Sequence, residues 1–184
     1  MILVFNTGDG LSETSMTPTL FDPFPFQNLT VHRMVEAIDR AAADDRVHGL
    51  VLNVDGGGLE LAHIEEIRAA VERFRAAGKM TRAFSPSYGD AGGTGLGTYY
   101  LASAFQEIWM QPVGMLTMAG INIETPYARL LLDKIGANPE FYHREEYKNA
   151  MESFTASPPS HAAQEMMKSI LLDFASRMTA KIAV

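Results

Sequence analysis

The sequence contains no cysteine, which excludes disulfides and thiolate metal sites and leaves the redox compartment unreadable from that residue. No apolar run approaches the roughly 18 to 20 residues that a helix needs to span a bilayer. The opening run Met1-Ile2-Leu3-Val4-Phe5 is too short for a signal-peptide core and has no basic leader. The chain as given is therefore expected to be soluble. Basic residues are outnumbered, 15 Lys and Arg against 22 Asp and Glu, for a net charge of −7. With no run of Lys or Arg either, no nucleic-acid partner is expected. None of His32, His48, His63, His143 and His161 falls in HExxH or another ligand spacing, so no metal site is expected. No GxSxG elbow is present. A Ser-His-Asp triad stays open all the same, because its members need not be neighbours in sequence.

What is present suits one globular α/β domain over residues 1–184. Hydrophobic residues are 47% and charged residues 20% of the chain, ordinary values for a chain that can bury a core without staples. Ile2 to Asn6 reads as a short buried strand. Thr30 can cap a helix over about 31–44 with Met34, Val35, Ile38 and Ala42 on one stripe. Val47 to Asp55 reads as a strand covered on both faces. A helix over about 61–77 would bury Ile64, Ile67, Val71 and Phe74 and turn Glu65, Glu66, Arg68, Glu72 and Arg73 outward. A strand follows at 80–84, a loop at 85–98, a helix at 99–105 and a strand at 107–110. Thr125 and Pro126 open a helix that ends at Ile135 before Gly136. Pro139 to Tyr142 reads as a strand. Ser160 caps a last helix to about 181, striped by Met166, Met167, Ile170, Leu171 and Phe174. Strands alternating with helices imply βαβ units and a mainly parallel sheet flanked by helices.

Four stretches invite a chemical reading. Gly56-Gly57-Gly58 and Gly92-Gly93-Thr94-Gly95-Leu96-Gly97 each precede a helix and offer backbone N–H groups to an anion. Both are also ordinary glycine turns. Neither matches GxGxxG or a GKS/GKT phosphate loop, so no cofactor is expected. The Phe21–Phe26 segment, Phe-Asp-Pro-Phe-Pro-Phe, is a loop packed on the domain or an exposed apolar lip. Lys148 sits near Glu145 and Glu146, as a solvated surface lysine would. It becomes a candidate base only if burial or positive charge lowers its pKa, and Tyr147, Ala150, Met151 and Phe154 are the residues that would wall it in.

Three segments in register sharpen this picture. They are GLVLNVDGGG with its following helix and AAGKMTRAFSPSYGD, then TYYLASAFQEIWMQPVGMLTMAG, then ETPYARLLLDKIGANPEFYHREEYKNAMESFTASPPSHAAQEMM. Together, over roughly residues 30–181, they resemble the signal peptide peptidase A (protease IV) family. YYLAS-F--I, LLDK-G and YK-A-E-F are the most specific pieces. The resemblance implies a crotonase-like or Clp-protease-like fold and a Ser-Lys dyad. It carries the general-base role onto Lys148. It does not carry a serine, because Leu96 stands where short family members place one. Thr98 is two positions late, and Ser103 lies inside the helix. Long family members join a lysine-bearing half to a serine-bearing half.

The resemblance therefore implies the N-terminal, lysine-bearing half of a serine endopeptidase that degrades cleaved signal peptides. Its implied partners are a C-terminal serine-bearing domain of the same protein, signal peptide substrates and further copies in a homo-oligomer. Its implied location is the inner (cytoplasmic) membrane, catalytic domain on the periplasmic side. A start on a strand and a stop after a helix read as cuts at domain edges. Two other readings stand beside this one: a catalytically inactive domain that binds peptides or scaffolds an oligomer, and, by fold analogy alone, a crotonase-type acyl-CoA enzyme.

Overall fold

Four short strands, successive ones separated by a helix, pair side by side in sequence order. They are β1 (Ile2–Asn6), β2 (Gly49–Asn53), β3 (Met80–Ser85) and β4 (Glu107–Met110). The sheet order is β1-β2-β3-β4 and every pairing is parallel. The helices are α1 (Val31–Ala43), α2 (Leu61–Ala76), α3 (Leu96–Ala102), α4 (Arg129–Ile135), α5 (Glu152–Thr155) and α6 (His161–Ile182). This computed structural model describes residues 1–8, 11, 29–55, 59–89, 95–142, 144–145 and 147–183. The chain divides into two compact units, Met1–Ala119 with Lys181–Val184, and Gly120–Ala180. The parallel sheet with its helices bears out the expected α/β class.

In the first unit the register sorts side chains onto two faces. Leu3, Leu50 and Thr81 share one row, and Phe5, Leu52, Ala83 and Ile108 the next on the same face. Leu50, Leu52, Thr81 and Ala83 are fully buried there, together with Met34 and Ile38 of α1 and Ile67, Val71 and Phe74 of α2. Burial of each large aliphatic or aromatic side chain is worth about 1.5–3 kcal/mol, so these residues dominate the unit's stability. The opposite face carries Ile2, Val4, Val51, Arg82, Phe84 and Trp109, and among the described residues of this unit it has no layer over it. Ile2, Val4 and Trp109 are more than half exposed. β1 is thus not the buried strand expected of its composition. It is an edge strand whose residues alternate between half-buried and open.

Polar groups extend the pairing beyond the strands. Thr7 donates its N–H to the Asn53 carbonyl (3.0 Å), while its hydroxyl donates to the Asp55 carbonyl and accepts from the Asp55 N–H, both at 3.0 Å. Thr81 and Gln106 exchange two bonds of 3.0 Å, backbone N–H to side-chain oxygen in each direction, which fixes the chain entering β4. Thr30 caps α1 by accepting from the Arg33 N–H at 3.2 Å. Such a cap is worth about 1 kcal/mol.

Arg68 corrects the outward assignment given it on α2. Only 2% of it is exposed. Its Nη1 donates to the Tyr100 carbonyl and to the Ser103 hydroxyl (2.7 Å), and the guanidinium lies over the Tyr100 ring at 4.2 Å. The helical spacing 64, 67, 68, 71 and 74 puts position 68 inside the apolar stripe. A buried cation there is tolerable because α3 returns two acceptors and an aromatic face.

The second unit departs from expectation in its first half. Pro139 to Tyr142 is not a strand. Pro139 has no N–H to give a ladder, and Phe141 packs on Phe154 instead, ring centroids 6.1 Å apart. α4 starts at Arg129 rather than at Pro126, with Ala128 as the cap residue donating its N–H to the Ser153 carbonyl at 2.6 Å. It ends as expected at Gly136, whose φ of +75° is the left-handed value that favours glycine. α6 begins where expected, the Ser160 hydroxyl accepting from the Ala163 N–H at 3.1 Å. Its expected stripe is only half-buried at Met166, Met167 and Leu171 and is open at Ile170 and Phe174.

Arg68→Ala is expected to cost about 3 kcal/mol in urea unfolding, because it removes both buried charge-assisted hydrogen bonds to α3 and the cation over the Tyr100 ring. Arg68→Lys should recover little, since an ammonium cannot both stack flat on Tyr100 and reach two acceptors.

Candidate active site

Lys148 lies in the second unit, on the connection between α4 and α5. Its N–H donates to the Glu145 carbonyl at 3.1 Å, and four residues on the Glu152 N–H donates to the Asn149 carbonyl at 2.9 Å, so tight turns stand on either side of it. The residues on either side of Lys148 both reach α6. The Tyr147 hydroxyl donates to Glu165 Oε2 at 3.3 Å, and Asn149 Nδ2 approaches Met166 Sδ at 3.9 Å. Lys148 itself is exposed. Tyr147, Ala150, Met151 and Phe154 are exposed or half-buried, so within this unit they do not close an apolar wall. A cleft of about 350 Å³ in the same unit is lined by residues that include Ile123, Tyr127, Ala163, Met167, Lys168 and Leu171, and Lys148 is not among them.

The position where a serine would stand belongs to the first unit. Leu96 is the first residue of α3 and is half-buried. The backbone leading to it is held tightly. Tyr88 donates its N–H to the Met115 carbonyl (2.8 Å), Thr117 donates to the Tyr88 carbonyl (2.8 Å), and Gly95 donates to the Thr117 carbonyl (2.9 Å). Both ends of the glycine-rich loop are thereby pinned to the 115–117 stretch. A Cβ on Gly95 would overlap the Tyr88 carbonyl. α3 begins three residues earlier than the expected Tyr99, which places Leu96 at the helix start. Neither nearby hydroxyl is free to attack. Thr98 Oγ1 donates to the Gly95 carbonyl at 3.0 Å, and Ser103 Oγ donates to the Tyr100 carbonyl at 2.8 Å while accepting from Arg68.

Lys148 and Leu96 thus fall in different units. Gly56–Gly58, Gly92, Gly93, Thr94, His143 and the Phe21–Phe26 segment lie outside the described residues. Among the described residues no group of His, Asp and Glu is placed to hold a metal ion, and no helix is long and apolar enough to cross a membrane.

Residues 81–183, more than half of the chain and including both Leu96 and Lys148, match the model of peptidase family S49. The chain belongs to peptidase family S49. It is 30% identical over 143 residues to Protease 4 of Haemophilus influenzae, an alignment that takes in 77% of this chain and 22% of that protein. It is 31% identical over 140 residues to Protease 4 of Salmonella typhi, 76% of this chain and 22% of that protein. Against the chloroplastic serine protease SPPA of Arabidopsis thaliana it is 27% identical over 145 residues, 79% of this chain and 20% of that protein. The chain thus spans about a fifth of the length of these curated relatives.

Tyr88 is a member of this neighbourhood that sequence reasoning did not single out. Its ring is buried edge-on against Tyr99, centroids 5.7 Å apart, and its hydroxyl has no hydrogen-bond partner among the described residues. Burial, with a smaller contribution from Tyr99, pushes its phenol up from 10.0 to about 12. The fold therefore favours the neutral phenol. That contribution to stability is complete below pH 10 and is lost as pH rises from 10 through about 12. Tyr88→Phe should leave stability at pH 7 unchanged or slightly raised, and should flatten the decline between pH 10 and 12, both read by denaturant unfolding.

Proposed function

We propose that this S49 domain supplies the general-base lysine, Lys148, to a serine endopeptidase that works by a Ser-Lys dyad and degrades cleaved signal peptides. The serine is carried by a C-terminal domain of the same protein. The observation that carries the reading is the pairing of two features inside the family match. The YK-A-E-F segment is intact around Lys148, while the helix start that would present a serine presents Leu96. The relatives' names, protease and serine protease, support the class of reaction.

In this reading the serine hydroxyl attacks the peptide carbonyl as the Lys148 amine takes its proton, and the ammonium then protonates the leaving amine. Water, deprotonated by the same amine, releases the acyl group. An amine serves as a base when it is desolvated or lies near positive charge. Lys148 is exposed within its unit, and in this reading the covering surface is supplied by the serine-bearing domain or by another copy in a homo-oligomer. The oxyanion donors come with the serine. The working location is the periplasmic side of the inner membrane.

Lys148→Ala in the complete protein should lower turnover of a fluorogenic signal-peptide substrate by about 10²–10⁴-fold with an unchanged circular dichroism spectrum. Wild-type turnover in that variant would overturn the reading. It would favour the alternative of a catalytically inactive domain that binds peptides or scaffolds an oligomer, which the engaged hydroxyls of Thr98 and Ser103 also suit.

A further inference from the structure

The turns around Lys148 have few fixed points, and one side chain supplies the best of them. Glu152 opens α5 four residues after Lys148. Its backbone N–H is bonded to the Asn149 carbonyl at 2.9 Å, next to the lysine. Its carboxylate faces the other way and accepts twice from Ser160, from the backbone N–H at 2.9 Å and from the hydroxyl at 2.6 Å. The Ser160 hydroxyl in turn accepts from the Ala163 N–H at 3.1 Å, and the Ser160 carbonyl accepts from the Gln164 N–H at 3.0 Å. Ser160 is therefore the cap that precedes the 22-residue helix α6. The Glu152 carboxylate ties the short turns that hold Lys148 to the longest rigid element of the unit. The next residue adds a second tie, since the Ser153 carbonyl accepts from Ala128 at the start of α4.

The contrast with the other contacts decides the choice. The Tyr147–Glu165 bond is 3.3 Å and exposed, and the Asn149–Met166 contact is 3.9 Å to a weak sulfur acceptor. Both are weaker than a carboxylate accepting two short bonds, one from a hydroxyl and one from a backbone N–H. A base must be held to a fraction of an ångström to accept a proton in the transition state. An exposed lysine on a turn does not meet that demand through its own packing.

We infer that Glu152 is a positioning residue for Lys148, acting through Ser160 to lock the lysine-bearing turns to the N-terminus of α6. The inference rests on the reading of Lys148 as the general base. It gives the glutamate of the YK-A-E-F segment a task distinct from proton transfer.

The test is kinetic, in the complete protein, with Lys148→Ala, Glu152→Ala, Glu152→Gln and Ser160→Gly assayed side by side on one fluorogenic signal-peptide substrate. Glu152→Ala should lower kcat by about tenfold to a hundredfold while KM stays within about twofold, the mark of lost alignment rather than lost binding. Glu152→Gln should restore most of kcat, because its carbonyl can accept from the Ser160 N–H and its NH₂ can donate to the Ser160 hydroxyl. Ser160→Gly keeps the N–H and weakens the α6 cap little, since glycine is tolerated at a helix cap. It should lower kcat less than Glu152→Ala and add nothing on the Glu152→Ala background.

If Lys148→Ala is inactive and Glu152→Ala keeps wild-type kcat, the positioning role is wrong while the base assignment stands. Equal impairment of Glu152→Gln and Glu152→Ala also overturns the positioning role. If Lys148→Ala retains turnover, the base assignment is wrong and this inference falls with it. Should Glu152→Ala not fold, Glu152→Gln and Ser160→Gly decide: wild-type kcat in Ser160→Gly overturns the role, and a lowered kcat with unchanged KM there supports it.

Discussion

A guanidinium with almost no water around it joins two helices of the first unit. Arg68 stacks on the Tyr100 ring and gives its donors to the Tyr100 carbonyl and Ser103 hydroxyl, and the Tyr100 hydroxyl donates to Glu65, so α2 and α3 are fastened there. The aliphatic core under β2 and β3 then defines where α2 lies. Through Arg68 that placement is passed to α3, and with it to Leu96 at the head of α3. Hydrophobic burial is non-directional and sets the layers. The cation sets the register between them, because a planar fork with fixed donors admits few arrangements.

The two units are held together by different means. The first is a sheet with one face under helices, its buried rows readable from strand to strand. Among its described residues the second has no sheet, and its first half is turns and short helices closed by backbone and side-chain hydrogen bonds. Ala128 on Ser153 and Glu152 on Ser160 are the firmest of these. Such closures depend on single acceptors and donors, so the second unit is more sensitive to polar substitutions and the first to losses of volume.

This difference also governs what could be read from sequence. Period and capping locate α1 and α2 of the first unit. The Ile64, Ile67, Val71 and Phe74 face and the Thr30 cap are where their spacing and chemistry put them. Arg68 was misread because its charge was weighed above its position on the same stripe. β1 was misread because composition does not say whether a strand lies at an edge. In the second unit the strand expected over Pro139–Tyr142 failed for want of a partner, which no local pattern reports. For the candidate site, composition near Lys148 indicated an exposed lysine, and exposed it is. Only the register of three distant segments singled it out. The Glu152–Ser160 bond spans eight residues with no periodic signal, and nothing short of coordinates shows it.

The contact between Gly95 and the Tyr88 carbonyl separates two kinds of change. Position 95 admits no side chain, since even a methyl group would meet backbone. Position 96, one residue on, is half-buried and holds a leucine. The scaffold that presents a residue at the head of α3 is therefore independent of which residue is presented. A reactive atom can be lost there in one substitution while the frame around it persists.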